Sequence, residues 1–141
     1  MNKIHLSTCT LDSKKLKDII SIGIFGSYHE KVFDKNRSDI DIAILSDKEL
    51  DFDIECEIED YLNSILPTHF NHENIHYTFI NGFIYPFSEL LLMSNDKLIF
   101  NTEKFLDYTL GYSCFKRDRE NLEIIREENL KDLERYKNGL L

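Results

Sequence analysis

The order of elements in this chain predicts an α/β protein, a small mixed sheet with helices packed on it, chiefly on one face, and a C-terminal helical tail. Three observations predict it. Short β-branched runs alternate with stretches of helical periodicity. The 141 residues suffice for one ordinary core. No internal repeat, low-complexity tract or Pro/Gly/Ser linker interrupts them. A single domain over 1–141 is therefore expected, with the sheet and its helices in 1–101 and C-terminal helices in 102–141.

Asp12 or Ser13 can cap a short first helix carrying Leu16 and Ile19. "IISIGIF" is β-branched and short enough to be a buried strand, and Gly26 stops it. "DIDIAIL" sets Asp39, Asp41, Ala43 and Leu45 on one face and Ile40, Ile42 and Ile44 on the other, so it is a second strand. From Lys48 to Leu66, Leu50, Ile54, Ile58, Tyr61, Leu62 and Ile65 recur at three and four. Asp51, Asp53, Glu55, Glu57, Glu59 and Asp60 fill the other face, giving an amphipathic helix that Pro67 ends. Its acidic run is a solvated face.

"NIHYTFI" alternates as a third strand, Pro86 opens a helix in "PFSELLLMS", and "KLIF" reads as a short edge strand. Beyond Thr102 two helices are expected. Phe105, Tyr108, Thr109, Tyr112 and Phe115 mark a face of the first, which is core or an interface. Leu122, Ile125, Leu130 and Leu133 mark the second, which stops at Asn138-Gly139. These helices can pack on a partner as readily as on the sheet.

Composition narrows the function. Seventeen Lys and Arg against 26 Asp and Glu leave a formal charge of −9, which repels a polyphosphate backbone and disfavours bulk nucleic-acid binding. Local patches remain at Lys31, Lys35 and Arg37, beside the two aspartates, and at Lys116, Arg117 and Arg119, which reads as solvated surface. Cys9, Cys56 and Cys114 have no paired spacing, so neither a disulfide framework nor a zinc ribbon is indicated and a reducing cytoplasm is expected. No signal-peptide h-region or membrane-length apolar window is present, so no membrane role is expected.

The chemistry-bearing stretch is "FGSYHEKVFDKNRSDIDIAIL". A carboxylate resists burial unless something positive meets it, yet Asp39 and Asp41 sit inside an apolar strand. Same-face residues on a strand are roughly 6.5–7 Å apart, so both can lean toward one divalent cation or flank a pair. Their hard oxygens suit Mg²⁺ or Mn²⁺. Upstream, a strand ending in Gly26-Ser27 offers backbone N–H groups and a hydroxyl to an anion, and the missing Cβ of Gly26 allows close approach. A phosphate cradle beside a carboxylate pair is a device for holding a metal-bound nucleoside triphosphate.

At these residues the chain resembles the minimal nucleotidyltransferases of the DNA polymerase β-like superfamily. Their signature is Gly-Ser, a loop of about ten residues and Asp-x-Asp, matched here by Gly26, Ser27, Asp39 and Asp41 in the context "SDIDIAI". "SIGIFGS", "INGFIYPFSELLLMSNDKLIFN" and the Tyr- and Arg-bearing tail extend the likeness over nearly the whole chain. The resemblance implies a polymerase β palm-like sheet, ATP as substrate, metal held by Asp39 and Asp41, and nucleotide held by Gly26, Ser27, Arg37 and Ser38. Small proteins of this kind are similar to MNT-type antitoxins paired with HEPN-domain toxins encoded nearby. The activity so implied is transfer of AMP from ATP to a tyrosine of the toxin. A contact-only antitoxin is the alternative. Transfer to a small molecule or to tRNA is disfavoured by the lack of an extra helical domain and by the acidic balance. A second subunit, the toxin or a copy of the chain itself, is expected to complete the acceptor site.

The chain departs from the family pattern in two places. Eleven residues separate Ser27 from Asp39, and Tyr28, His29 and Glu30 replace a small, basic "A-R-G". On the third strand His76 and Phe79 stand where relatives carry acids. His76 is then either a catalytic residue at the cleft, accepting a proton or touching metal, or an ordinary strand histidine. His69, His72 and His76 form an H-x2-H-x3-H run, but they span a loop and a strand without a nearby cysteine, so zinc is not expected there.

Overall fold

The computed structural model describes residues 3–139. After a 3₁₀ turn at Leu6–Thr8 the elements are β1 (Ile19–Phe25), β2 (Ile40–Ser46), α1 (Phe52–Asn63), α2 (Leu66–Phe70), β3 (Ile75–Ile80), α3 (Phe87–Met93), β4 (Lys97–Ile99) and α4 (Thr102–Gly139). The four strands form one mixed sheet in the order β3-β2-β1-β4. β1 runs antiparallel to β2 and β4, while β2 and β3 are parallel. Parallel neighbours need a crossover, and α1 with α2 supplies it.

The two periodicities meet on one face of the sheet. Ile22, Ile24, Ile40, Ile42 and Ile44 pack into a cluster with Ile58 and Leu62 of α1 and Leu66 and Phe70 of α2. The opposite face is covered in part by α3. A Cβ on Gly23 would lie 2.7 Å from Leu91 Cδ1, and Phe25 meets Phe87 edge to face. That second cover explains why β1 is buried at every position but its last.

Three boundaries differ from the sequence expectation. The helix expected to carry Leu16 and Ile19 is a run of turns: the Asp12 carboxylate accepts from Lys14 N–H at 2.9 Å, Leu16 anchors in the core, and Ile19 begins β1. An Asp side chain that bonds the backbone two residues on favours a turn over a helix. Pro67 does not end the long helix. α1 is capped by Asp51, whose carboxylate accepts from Ile54 N–H at 2.9 Å, and closes at Asn63, and Pro67 sits in the first turn of α2, where its missing N–H has no helical partner to lose. The two expected terminal helices are one, α4, because the polar run from Lys116 to Asn121 contains neither Pro nor Gly and continues the helix.

Two compact units divide within α4, the first ending at Asp107 and the second beginning at Tyr108. In the second unit Leu122, Ile125, Leu130, Leu133 and Tyr136 are exposed. Among the described residues no helix is long and apolar enough to cross a membrane.

Candidate active site

The loop between β1 and β2 is built to hold its ends still. Tyr28 is buried, donates its hydroxyl to Ile4 C=O at 2.9 Å and packs edge-on against Phe33 and Phe70. His29 turns to Asp96, its Nε2 2.7 Å from Oδ2. Tyr28 and His29 are thus anchors to the core, to the N-terminal segment and to the turn before β4. Lower in the loop Ser38 accepts from Asp34 N–H through its hydroxyl at 3.0 Å and donates its own N–H to Asp34 C=O at 2.7 Å. His72, buried, reaches the Ser38 carbonyl at 2.9 Å. Arg37 is 89% exposed and pairs loosely with Asp34 at 4.0 Å.

This loop delivers Gly26 and the aspartates to one place. Phe25 pairs with Asp41 in the β1–β2 register, and Gly26 follows with φ +76°, a conformation that favours glycine. A Cβ there would sit 2.7 Å from Asp41 Oδ2. The glycine turn and the carboxylate are therefore neighbours, and a side chain at position 26 would have to displace Asp41 Oδ2. Ser27 accepts from Glu30 N–H at 2.9 Å through its carbonyl, which shapes the turn. On the other side of β2, Asp41 is register partner to His76 of β3, with Nδ1 3.7 Å from Oδ1.

Burial pushes the Asp41 carboxyl above the usual carboxylate range; His76 pulls it down and the negative charge of Asp39 pushes it up again. Asp39 is exposed just before β2, so its charge reaches Asp41 while its side chain stays in water. A partly buried carboxylate with a like charge nearby is poised for a cation. A backbone turn without a side chain beside that carboxylate can admit a phosphate, and together they accommodate an anion bridged to a metal.

Phe79 lies elsewhere. It pairs with Ile44 and packs against the core cluster. His69 and His72 also go their own ways, His69 Nε2 to His5 C=O at 2.9 Å and His72 to Ser38, so the three histidines of the H-x2-H-x3-H run do not converge. Asp96 carries no sequence signal of its own. It is 2% exposed and accepts from Leu6 N–H at 2.8 Å and Ser7 N–H at 2.9 Å, as well as contacting His29. No spacing signal links positions 5, 29 and 96, and only the fold brings them together.

The family model described as nucleotidyltransferase domain matches residues 7–133. The chain belongs to the nucleotidyltransferase domain family. Among solved structures, one similar chain comes from a crystal structure of a mutant toxin–antitoxin pair, MntA-HpeT. It is 19% identical at a TM-score of 0.52, with 87% of this chain and 98% of that chain covered. Another comes from a tri-AMPylated Shewanella oneidensis HEPN toxin in complex with its MNT antitoxin. It is 20% identical at a TM-score of 0.50, with 86% of this chain and 88% of that chain covered. At that identity the likeness establishes the fold. No curated protein matches the chain.

Proposed function

We propose that the chain is an MNT-type antitoxin that transfers AMP from ATP to a hydroxyl of a HEPN-type toxin encoded nearby, with Mg²⁺ or Mn²⁺ bound. The observation that carries this reading is the contact of Gly26 with Asp41, which joins the two halves of the family's signature at one point in space. The AMPylated HEPN toxin in the similar complex supplies the acceptor class.

Asp39 and Asp41 would hold the divalent ion, and the fit rests on partly buried Asp41 lying beside the glycine turn with the charge of exposed Asp39 close to it. The ion neutralises charge on the phosphate oxygens. Gly26 and Ser27 receive the triphosphate through backbone N–H groups and a hydroxyl. In the transfer an acceptor oxygen bonds to the α-phosphorus, the bond from that phosphorus to the β-phosphate oxygen breaks, and pyrophosphate leaves. The hydroxyl proton would pass to the ring of His76, which lies beside Asp41. Ser38 fixes the loop, and exposed Arg37 in the same loop would be free to meet the incoming phosphate.

A second reading has a specific observation in its favour. His76 occupies the register position beside Asp41, and imidazole is a poorer Mg²⁺ ligand than carboxylate. On that reading the chain neutralises its toxin by contact alone. A neutralisation assay with Asp39→Asn and Asp41→Asn together separates the two. Toxicity that returns in the double variant supports transfer, and neutralisation that persists supports contact.

A further inference from the structure

We propose that His5, His29 and Asp96 form a second metal site, for a divalent ion of the zinc class, distinct from the Asp39/Asp41 site. The three residues come from three segments: the N-terminal stretch before the 3₁₀ turn, the loop after Gly26-Ser27, and the turn before β4. One ligand atom from each lies within 4.8 Å of the other two.

Asp96 is the foundation. Its side chain is 2% exposed, and although burial pushes its carboxyl up, hydrogen bonds from Ser7, Leu6 and His29 hold it below the usual range. A buried carboxylate that stays ionised is a fixed negative charge. Both imidazoles aim at the same oxygen of it: His29 Nε2 is 2.7 Å and His5 Nδ1 3.6 Å from Oδ2, which also accepts from Leu6 N–H at 2.8 Å. Leu6 N–H and His29 occupy that oxygen's two lone pairs, so His5 at 3.6 Å stands near it without a hydrogen bond. The two rings stack, with 4.8 Å between their centroids and 21° between their planes.

One cation among the three groups could take a ligand atom from each. Zinc bonds of about 2.0–2.1 Å place tetrahedral ligands about 3.3 Å apart. The 3.6 Å separation already fits, and the 2.7 Å separation would have to widen by about 0.6 Å. Two imidazoles and a carboxylate suit Zn²⁺ and its late first-row neighbours over Mg²⁺. Room for water ligands exists, because His5, His29 and Asp96 line a cleft of about 380 Å³ with Gly26, Ser94 and Asn95. Such an ion would tie the N-terminal stretch to the loop that shapes the glycine turn.

Chelator-treated protein carrying Asp39→Asn and Asp41→Asn removes the first site, so titration with Zn²⁺ reads the second. The expected result is one equivalent bound, a Tm raised by Zn²⁺, and intense tetrahedral Co²⁺ absorption bands. His5→Gln and His29→Gln should each weaken Zn²⁺ binding about tenfold or more, while His76→Asn leaves it unchanged. The side-chain amide introduced by His29→Gln can still donate to Asp96, and circular dichroism of each variant verifies folding. No stoichiometric Zn²⁺ binding, or binding indifferent to both His5→Gln and His29→Gln in folded protein, overturns the site. Loss of binding in His76→Asn overturns it as well.

Discussion

Gly26 and Asp41 touch: a methyl group built on the glycine would lie 2.7 Å from Asp41 Oδ2. This contact joins the end of β1 to the start of β2 through a residue whose φ is +76°. The positive φ favours glycine at this position, and a side chain there would have to displace the Asp41 carboxylate.

Gly26→Ala should lower stability by about 1–3 kcal/mol, from the left-handed backbone and the displaced carboxylate together. Chemical denaturation measures the loss. Nucleotidyl transfer should fall further than stability does, because Asp41 is pushed from its position. A variant equal to wild type in both would show that the turn is not confined as described.

Asp41→Asn separates stability from function. Burial raises the Asp41 carboxyl in the folded state, so its ionisation opposes folding. The contribution is favourable below the unfolded carboxylate pKa, about 3.9, and is lost as pH rises through the higher folded value. The variant should therefore be slightly more stable than wild type at pH 7, by about 0.5 kcal/mol after solvent screening, with the difference vanishing near pH 3. Transfer should be abolished. Thermal unfolding at the two pH values, in the absence of divalent ions, checks the sign.

Asp96 has the opposite sign. Its folded carboxyl is depressed, so its stabilisation is present above about pH 3.9 and lost as pH falls through the lower folded value. Asp96→Asn should cost about 2–3 kcal/mol at neutral pH, since Leu6 N–H and Ser7 N–H lose a charged acceptor. The loss should shrink in acid. Urea midpoints at pH 7 and pH 3 measure it.

The sheet was legible because strand residues repeat every second position and helix residues every third or fourth, and neither signal depends on distant contacts. β2 and β3 were read from Ile40, Ile42, Ile44 and the "IHYTFI" alternation. Boundaries were less legible where one residue type serves two purposes. Pro67 marks a helix end or a helix start with equal ease, and only the backbone of Ile65 and Leu66 decides between them. The polar stretch 116–121 resembles a break in hydropathy but carries no backbone breaker. In the candidate site, the Gly26, Asp39 and Asp41 pattern was legible as a local motif. The pairing of His76 with Asp41 follows from parallel register, and the grouping of His5, His29 and Asp96 follows from the closed fold.

His76→Asp tests what the imidazole does beside Asp41. The added carboxylate should tighten Mn²⁺ binding about tenfold or more and raise transfer if metal affinity limits the wild type. Without metal, a third like charge should lower stability by about 0.5–1 kcal/mol at neutral pH, and Mn²⁺ should restore it. Calorimetric titration with Mn²⁺ reads the affinity, and an unchanged value would place residue 76 outside the metal's reach.

The most direct measurement of the central claim uses ATP labelled at the α-phosphate, Mg²⁺ and the HEPN-type partner, with wild-type chain beside the Asp39→Asn, Asp41→Asn double variant. Label should appear on the partner with wild type, be absent with the double variant, and never appear when the γ-phosphate carries it. A partner that stays unlabelled with wild type, or that is labelled equally by the double variant, would contradict transfer by this site.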